Sequence, residues 1–182
     1  MKIKKPVLIV LGEPNSVFVE ILSKVLKNNE IKRKIKYPII LIGSYNLIRS
    51  QLKILKKNIK MEVIDKEFLK NNKLHKKIYL MNVKYNFKKA FEKISFKSKN
   101  YISTSFKEGL NLLNLGISNT IINGPISKKH FLKGQYPGIT EYIFKKSKTK
   151  SLKKPVMLIY NKNFSVSPLS THAFKKSKKK KY

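Results

Sequence analysis

Short, continuous runs of apolar residues alternate along this sequence with stripes of apolar residues at helical spacing. The first run, residues 6–11, has no polar interruption and stops at Gly12, which is typical of a strand buried on both faces. A stripe with the spacing of one helix face follows: Phe18, Ile21, Leu22, Val25 and Leu26. Asn15 or Ser16 is placed to cap that helix. The sequence therefore begins with a predicted buried strand and a predicted amphipathic helix.

The same alternation continues as far as residue 166. Further apolar runs predict strands at residues 38–42, 61–64, 78–83, 120–123, 155–160 and 164–166, the last two as a hairpin. Two longer helices are predicted from the buried faces Leu47, Ile48, Leu52, Leu55 and Ile102, Phe106, Leu110, Leu113. Ser44 is placed to cap the first of them, and Gly116 to end the second. Ser127 and residues 140–146 predict two shorter helices, whereas the polar segments 65–77 and 84–97 remain ambiguous.

Strands that alternate with helices predict an α/β fold in which helices flank a mostly parallel sheet. The side chains expected in the sheet interior are Leu8, Val10, Ile40, Ile42, Ile121 and Met157. Those expected to face the sheet from helices are Phe18, Leu22, Phe106 and Leu110. Such sheets bind ligands at the carboxyl ends of their strands. The loops to consider as a site follow Leu11, Ile42, Asn123 and Val166.

A formal net charge of +33 points to polyanions as one class of partner. Arg33 and Arg49 are the only arginines, however, and arginine is the residue best suited to bidentate contacts with phosphates and bases. The lysines are spread along the whole chain among many Asn and Ile residues, as an AT-rich codon bias would produce. We therefore favour a solvated lysine surface with no specific nucleic-acid partner over a functional polyanion site.

Cysteine is absent, which excludes disulfides, thiolate metal sites and a cysteine nucleophile. No stretch approaches the roughly 18–20 apolar residues of a membrane span. Residues 6–11 are too short for the core of a signal peptide and lack a small-residue cleavage site. These observations predict a soluble, cytoplasmic protein without a membrane partner.

Three loops carry residues suited to anion binding, and each has a purely structural alternative. Gly12-Glu13-Pro14 offers a helix N-terminus to an anion or is an ordinary strand–helix turn. Asn123-Gly124-Pro125 with Lys128 suits a phosphate or is a turn with a surface lysine. In Gly138-Ile139-Thr140-Glu141, the Thr140 hydroxyl either caps a helix or binds an oxyanion. Neither G-x-G-x-x-G nor G-x-x-x-x-G-K-[ST] occurs, so a Rossmann or P-loop site has no support.

The three histidines share no metal-ligand spacing. His75, His130 and His172 are far apart in the sequence, whereas a divalent metal site normally uses about three protein ligands. Only His172 follows a predicted strand, in Ser170-Thr171-His172. From spacing alone, each histidine is more typical of an ordinary structural or surface residue than of a ligand.

Taken in order, these segments resemble the signatures of the 4-hydroxythreonine-4-phosphate dehydrogenase family. That family has a G-[DE]-P loop after its first strand, a [TN]-[GA]-P-[IV]-x-K turn, a G-H-T-E segment and a T-T-H segment. The corresponding segments here are Gly12–Pro14, Asn123–Lys128, Gly138–Glu141 and Thr171–His172. Each is weak alone, and it is their order and similar spacing over residues 6–172 that carry the resemblance.

The resemblance implies a two-domain α/β/α fold similar to isocitrate and isopropylmalate dehydrogenases. Residues 1–174 would be its N-terminal part and residues 175–182 a lysine-rich tail. It further implies a homodimer with active sites at the subunit interface, NAD as cofactor, and a divalent metal (Zn, Mg or Co) bound by three histidines. The implied reaction is the oxidation of 4-phosphohydroxy-L-threonine, a small phosphorylated substrate, in pyridoxal phosphate (vitamin B6) biosynthesis.

Position by position, the resemblance implies that Thr140 contacts substrate and that His172 is the first metal ligand. Ile139 stands where the family has a substrate-contacting histidine, and isoleucine can neither hydrogen-bond nor titrate. The later metal histidines and most cofactor contacts have no counterpart here, so we assign no catalytic and no NAD-binding residue. We expect a truncated dehydrogenase that is inactive alone. The alternatives are a non-catalytic remnant that binds phosphorylated metabolites weakly and, less favoured, a basic nucleic-acid-binding protein.

Overall fold

A five-stranded parallel sheet organises the first part of the chain. The computed structural model describes residues 5–147 and 155–168, which fall into two compact units. The strands of the first unit are β1 (Val7–Val10), β2 (Ile39–Gly43), β3 (Glu62–Ile64), β4 (Ile78–Asn82) and β5 (Thr120–Asn123). All neighbours pair in parallel, in the order β3-β4-β2-β1-β5. The predicted α/β class with a mostly parallel sheet is confirmed. The predicted boundary at residue 174 lies outside the described residues.

Six α-helices of the described residues connect or follow these strands. They are α1 (Phe18–Lys27), α2 (Asn29–Lys34), α3 (Tyr45–Ile54), α4 (Lys66–Asn71), α5 (Lys99–Asn114) and α6 (Ile139–Lys146). A 3-10 turn at Phe96–Ser98 and a π-helical turn at Lys128–Leu132 complete the first unit. Ser44 caps α3 as predicted, because its Oγ accepts a hydrogen bond from the Leu47 N–H. The ambiguous segment 65–77 contains α4, which Asp65 caps by accepting from the Phe68 N–H at 2.8 Å.

Alternate residues of the strands pack against helices on opposite faces of the sheet. On one face, Ile9 and Leu41 belong to a cluster with residues of α1 and α3. On the other, Val10 and Ile42 belong to a cluster that contains Phe106 of α5. Strands covered on both faces need nearly continuous apolar sequence, which explains the runs seen at residues 6–11 and 38–42. The residues expected in the interior are buried or half-buried here: Leu8, Val10, Ile40, Ile42, Ile121, Phe18, Leu22, Phe106 and Leu110.

The start and the buried face of α1 differ from the prediction. Val17 occupies the cap position, so the predicted position of the cap at Asn15 or Ser16 is wrong, but Ser16 Oγ does accept a hydrogen bond from the Phe18 N–H, the first of the helix, at 3.3 Å. Ile21, predicted to be buried, is 48% exposed, and Val19 is buried instead. The buried residues of α1 are Val19, Leu22 and Ser23, and Phe18 and Leu26 pack half-buried beside them.

The second described unit, residues 155–168, contains a short hairpin. Ile159 and Val166 form an antiparallel bridge, and the Asn161 N–H donates to the Phe164 carbonyl at 3.1 Å. The predicted hairpin is thus reduced to a single bridge. Met157 is 41% exposed and belongs to no described strand, so its predicted place in the sheet interior is wrong. The apolar run at 155–160 satisfies the strand pattern, but a pattern cannot specify which strand will pair with it.

Within residues 5–147 and 155–168, no helix combines the length and the apolar character needed to cross a bilayer.

Candidate functional site

Two of the sequence motifs meet at the carboxyl edge of the sheet, where β1 and β5 lie side by side. The Gly124 N–H donates to the Val10 carbonyl at 2.7 Å, and the Glu13 N–H donates to the Pro125 carbonyl at 2.8 Å. The loop after β1 and the loop after β5 are therefore joined backbone to backbone. Neither contact could be anticipated from spacing, because the two loops are more than 100 positions apart in the sequence.

Glycine is required on both sides of this junction. Gly12 has φ +72°, in the left-handed region that favours glycine, and a Cβ there would lie 2.4 Å from the Pro125 oxygen. A Cβ on Gly124 would lie 2.3 Å from the Leu11 oxygen. Backbone atoms fill the space between the two loops. A ligand at this edge would therefore bind on the solvent side of the loops and not between β1 and β5.

The junction lies where the sheet changes winding direction. The chain leaves β1 through α1 on one face of the sheet, whereas it leaves β5 through the turn and helix that place Phe131, Leu132 and Tyr142 on the other face. Open α/β sheets bind ligands outside the carboxyl ends of strands at such a switch point. The topology thus makes the loops at Gly12–Asn15 and Asn123–Lys128 the principal candidate site.

Glu13 forms the buried base of this edge. Its side chain is 2% exposed, and Oε2 accepts a hydrogen bond from the Ser98 hydroxyl at 3.0 Å. Oε1 has no hydrogen-bond partner among the described residues. Burial raises the pKa of the Glu13 carboxyl, and the hydrogen bonds from Ser98 and the Asn15 backbone, together with the nearby His130, offset this only in part.

The free energy of unfolding of Glu13→Gln, relative to that of wild type, is expected to be higher at neutral pH than at acidic pH. A carboxyl whose pKa is raised by folding contributes stability below its unfolded pKa, and that contribution is lost as pH rises through its folded pKa. Glutamine cannot ionise, so the advantage of Glu13→Gln should grow between about pH 4 and about pH 7. Urea unfolding of both proteins across this range measures it.

Ser98→Ala provides a control of opposite sign. It removes a hydrogen bond that favours the charged form of Glu13, so it should steepen the loss of stability with rising pH. A stability difference between wild type and Glu13→Gln that is constant across the pH range would contradict this account.

The turn after β5 is built around Ser127 and His130. Ser127 caps the π-helical turn as predicted, since its Oγ accepts from the His130 N–H at 3.3 Å and lies 2.8 Å from His130 Nδ1. The imidazole also packs edge-on against Phe96, with ring centroids 4.8 Å apart. Lys133 Nζ lies 4.8 Å from the centre of the same Phe96 ring. Lys128 lies at the start of the turn, where a phosphate-binding role stays a prediction.

Thr140 lies in the first turn of α6 and is half-buried. Gly138 occupies the cap position, so the interpretation of Thr140 as the cap is wrong. Ile139 packs against the cluster of buried residues beneath α5, which gives this side chain a structural role. The substrate contact assigned to Thr140 stays a prediction.

The described histidines do not fit a metal centre. His75 precedes β4, and its N–H donates to the Tyr79 hydroxyl at 3.0 Å. His130 lies beyond the opposite, carboxyl edge of the sheet, after β5. Within residues 5–147 and 155–168, no three His, Cys, Asp or Glu side chains are grouped so that they could hold a metal ion. His172 lies outside the described residues, and its role as a ligand stays a prediction.

A cleft of about 940 Å³ lies at the same edge of the sheet, beyond β3 and β4. Its apolar wall includes Phe68 and Met81, and Lys66 Nζ pairs with Glu108 Oε2 at 2.7 Å. Tyr101 is buried in its floor, where its hydroxyl oxygen accepts from the Ser44 N–H at 3.1 Å. Burial raises the pKa of Tyr101 to about 12, so this hydroxyl stays protonated. No sequence motif had indicated this cleft.

Comparison with known proteins identifies the family. The model of the family described as pyridoxal phosphate biosynthetic protein PdxA matches residues 34–177, which is more than half of the chain. The chain belongs to the PdxA family. The family expected from the order of its loop motifs is thereby confirmed. No curated protein sequence matches at a significant level.

Three solved structures share the PdxA-family fold of this chain. A 4-hydroxythreonine-4-phosphate dehydrogenase from Burkholderia phymatum is 16% identical with a TM-score of 0.70, and the match covers 90% of this chain and 49% of that one. A putative one from Salmonella typhimurium is 21% identical with a TM-score of 0.70, covering 90% and 50%. One from Klebsiella pneumoniae is 18% identical with a TM-score of 0.71, covering 90% and 50%. At these identities the likeness shows the fold alone, and this chain spans about half the length of each.

Sequence reasoning missed the partners that hold the candidate site together. Ser98 lies in a segment without clear periodicity, and its contact with Glu13 joins residues 85 positions apart. The Ser127–His130 pair was detectable, because a cap residue and a histidine three positions later lie on the same side of a helical turn.

Proposed function

We propose that this chain is the N-terminal part of an oxidoreductase of the 4-hydroxythreonine-4-phosphate dehydrogenase type. The observation that carries the proposal is the PdxA-family match over residues 34–177. The joined loops at Gly12–Asn15 and Asn123–Lys128 support it, because they present two of the family's motifs together at the ligand-binding edge of the sheet.

The proposed substrate is 4-phosphohydroxy-L-threonine, oxidised with NAD in pyridoxal phosphate biosynthesis. The proposal gives Thr140 a substrate contact and His172 the place of the first metal ligand. It assigns the other metal ligands and most NAD contacts to a segment outside these 182 residues, since each solved relative is about twice as long. The described residues hold no group of three His, Cys, Asp or Glu side chains that could bind a metal ion. The proposed enzyme is a homodimer and is located in the cytoplasm.

Binding of the proposed substrate to the isolated chain tests the role of Thr140. Loss of one hydroxyl hydrogen bond is worth about 1 kcal/mol, so Thr140→Val is expected to weaken 4-phosphohydroxy-L-threonine binding about fivefold. Titration followed by amide NMR shifts measures it. Thr120→Val is the matched control, because Thr120 is exposed at the amino end of β5, at the edge of the sheet opposite the loop pair.

The substrate should bind wild type and Thr120→Val equally. No detectable binding to wild type, or equal binding to Thr140→Val, would contradict the proposed site and favour a remnant without ligand-binding capacity.

A further inference from the structure

A second cleft, of about 760 Å³, opens at the amino edge of the sheet, opposite the candidate site. The chain reaches one side of it after α3, where Lys56 adopts φ +51°, stops the helix and sends the chain towards β3. The tight turn before β4, in which the Lys77 N–H donates to the His75 carbonyl at 2.7 Å, forms another side. The connection from α1 to β2, which contains α2 and the segment after it, closes the third side. Three separate connections thus converge at this cleft.

The floor of this amino-edge cleft is apolar. Ile39 and Ile59 are buried beneath it, and Leu26, Met61 and Ile78 are half-buried along its walls. A concave apolar surface with a few polar groups at its margin is the usual form of a small-molecule site.

The rim of the amino-edge cleft is strongly basic. Its lysines are Lys27, Lys32, Lys60, Lys76 and Lys77, all exposed, and its only acidic residue is Glu62. Glu62 pairs with Lys77 at 3.4 Å, and among the described residues no carboxylate pairs with the other four. Several uncompensated charges of one sign around a low-dielectric concavity focus the field and raise the local concentration of counter-ions.

The charge ratio of this rim, five lysines to one carboxylate, is close to that of the whole chain, which has 42 Lys and Arg residues and 9 Asp and Glu residues. The carboxyl-edge cleft is lined by three carboxylates, Asp65, Glu67 and Glu108, and by two lysines. The two clefts belong to one surface of one composition, yet only the amino-edge cleft is almost purely cationic. What distinguishes this rim from the open lysine surface is therefore the apolar concavity that its charges surround.

We infer that the amino-edge cleft binds a small amphipathic anion, with an apolar or aromatic body and one phosphate or carboxylate group. The apolar body lies on the floor over Ile59 and Met61, and the anionic group lies among Lys27, Lys60 and Lys76. This inference does not depend on the proposed dehydrogenase function, because the two sites lie at opposite edges of the sheet.

Hexyl phosphate is a suitable probe, with inorganic phosphate and hexanol as its two halves. In an NMR titration of the full chain, saturable shifts are expected at the amides of residues 59–62 and 76–78. Lys60→Ala/Lys76→Ala is expected to weaken binding at least about fivefold. Lys53→Ala/Lys107→Ala removes the same charge from exposed positions on α3 and α5 and should change affinity less than about twofold.

Met61→Gln tests the apolar floor and should weaken hexyl phosphate but not inorganic phosphate. Equal weakening by the two lysine pairs would show diffuse attraction to a basic surface and overturn the inference. Equal affinity for hexyl phosphate and inorganic phosphate, or the absence of saturable shifts at residues 59–62, would overturn it as well. Retained amide dispersion in each variant confirms that it is folded.

Discussion

Gly12→Ala is expected to lower the free energy of unfolding by roughly 2–5 kcal/mol, because left-handed backbone strain and overpacking add at this position. The φ of +72° disfavours any Cβ, and the new atom would meet the Pro125 oxygen at 2.4 Å. Neither strand end can yield easily, since the Glu13 N–H donates to that same oxygen and the Gly124 N–H to Val10. Urea unfolding measures the loss.

Gly116→Ala separates the two contributions. Gly116 has φ +70°, but no described atom beyond its immediate neighbours lies within 4 Å of the position that an alanine methyl group would occupy. It should therefore cost only the roughly 1–2 kcal/mol of the backbone conformation. If both variants lose the same stability, the close approach of the two loops contributes nothing, and the joined edge described above would be wrong.

The purified chain is expected to show no NAD reduction with 4-phosphohydroxy-L-threonine above a no-enzyme control. One assigned metal histidine per chain cannot chelate a divalent ion, because a single imidazole leaves the remaining coordination to exchanging water. Wild type should accordingly bind Zn²⁺ or Mg²⁺ no more tightly than His172→Ala. Spectrophotometric NADH formation and metal titration measure the two expectations.

Ile139→His is the informative companion variant. It restores a polar side chain at the position where the family has a histidine, yet it should not produce turnover, because the proposal places the other metal ligands and most NAD contacts outside these 182 residues. It should also cost stability, since Ile139 packs against the core cluster beneath α5. Turnover by wild type that His172→Ala abolishes would show that the active site is far more complete than proposed.

The strands were predictable because each carries its own signal. Residues 39–43 and 120–123 are apolar runs that end at a glycine or at a polar residue, and the structure places β2 and β5 within a residue of the predicted bounds. The run at 155–160 has the same local character, yet it forms only one bridge. Whether a strand joins a sheet depends on a partner elsewhere in the chain, and local periodicity contains no information about that partner.

The candidate site was predictable only as separate loops. Order and spacing indicated the segments around Gly12, Gly124 and Thr140, and the parallel sheet placed the first two at one edge. The contacts that fix them, such as Ser98 on Glu13, depend on tertiary packing across long sequence separations. The amino-edge cleft was equally hidden, since its lysines are indistinguishable by sequence from those of the open surface.

The two strands that pair with β1 lie at very different separations from it in the sequence, and this difference affects the order in which the sheet folds. Val7 pairs with Ile39, 32 positions later, but also with Thr120, 113 positions later. Distant pairings slow folding, because the chain between them must be ordered before the contact is made. During synthesis β1 and β2 can associate early, while the other edge of β1 remains an open apolar strand until β5 emerges. The loop junction at Gly12 and Gly124 is therefore among the last parts of the sheet to assemble, and the nascent chain is most prone to association with chaperones or other copies before that moment.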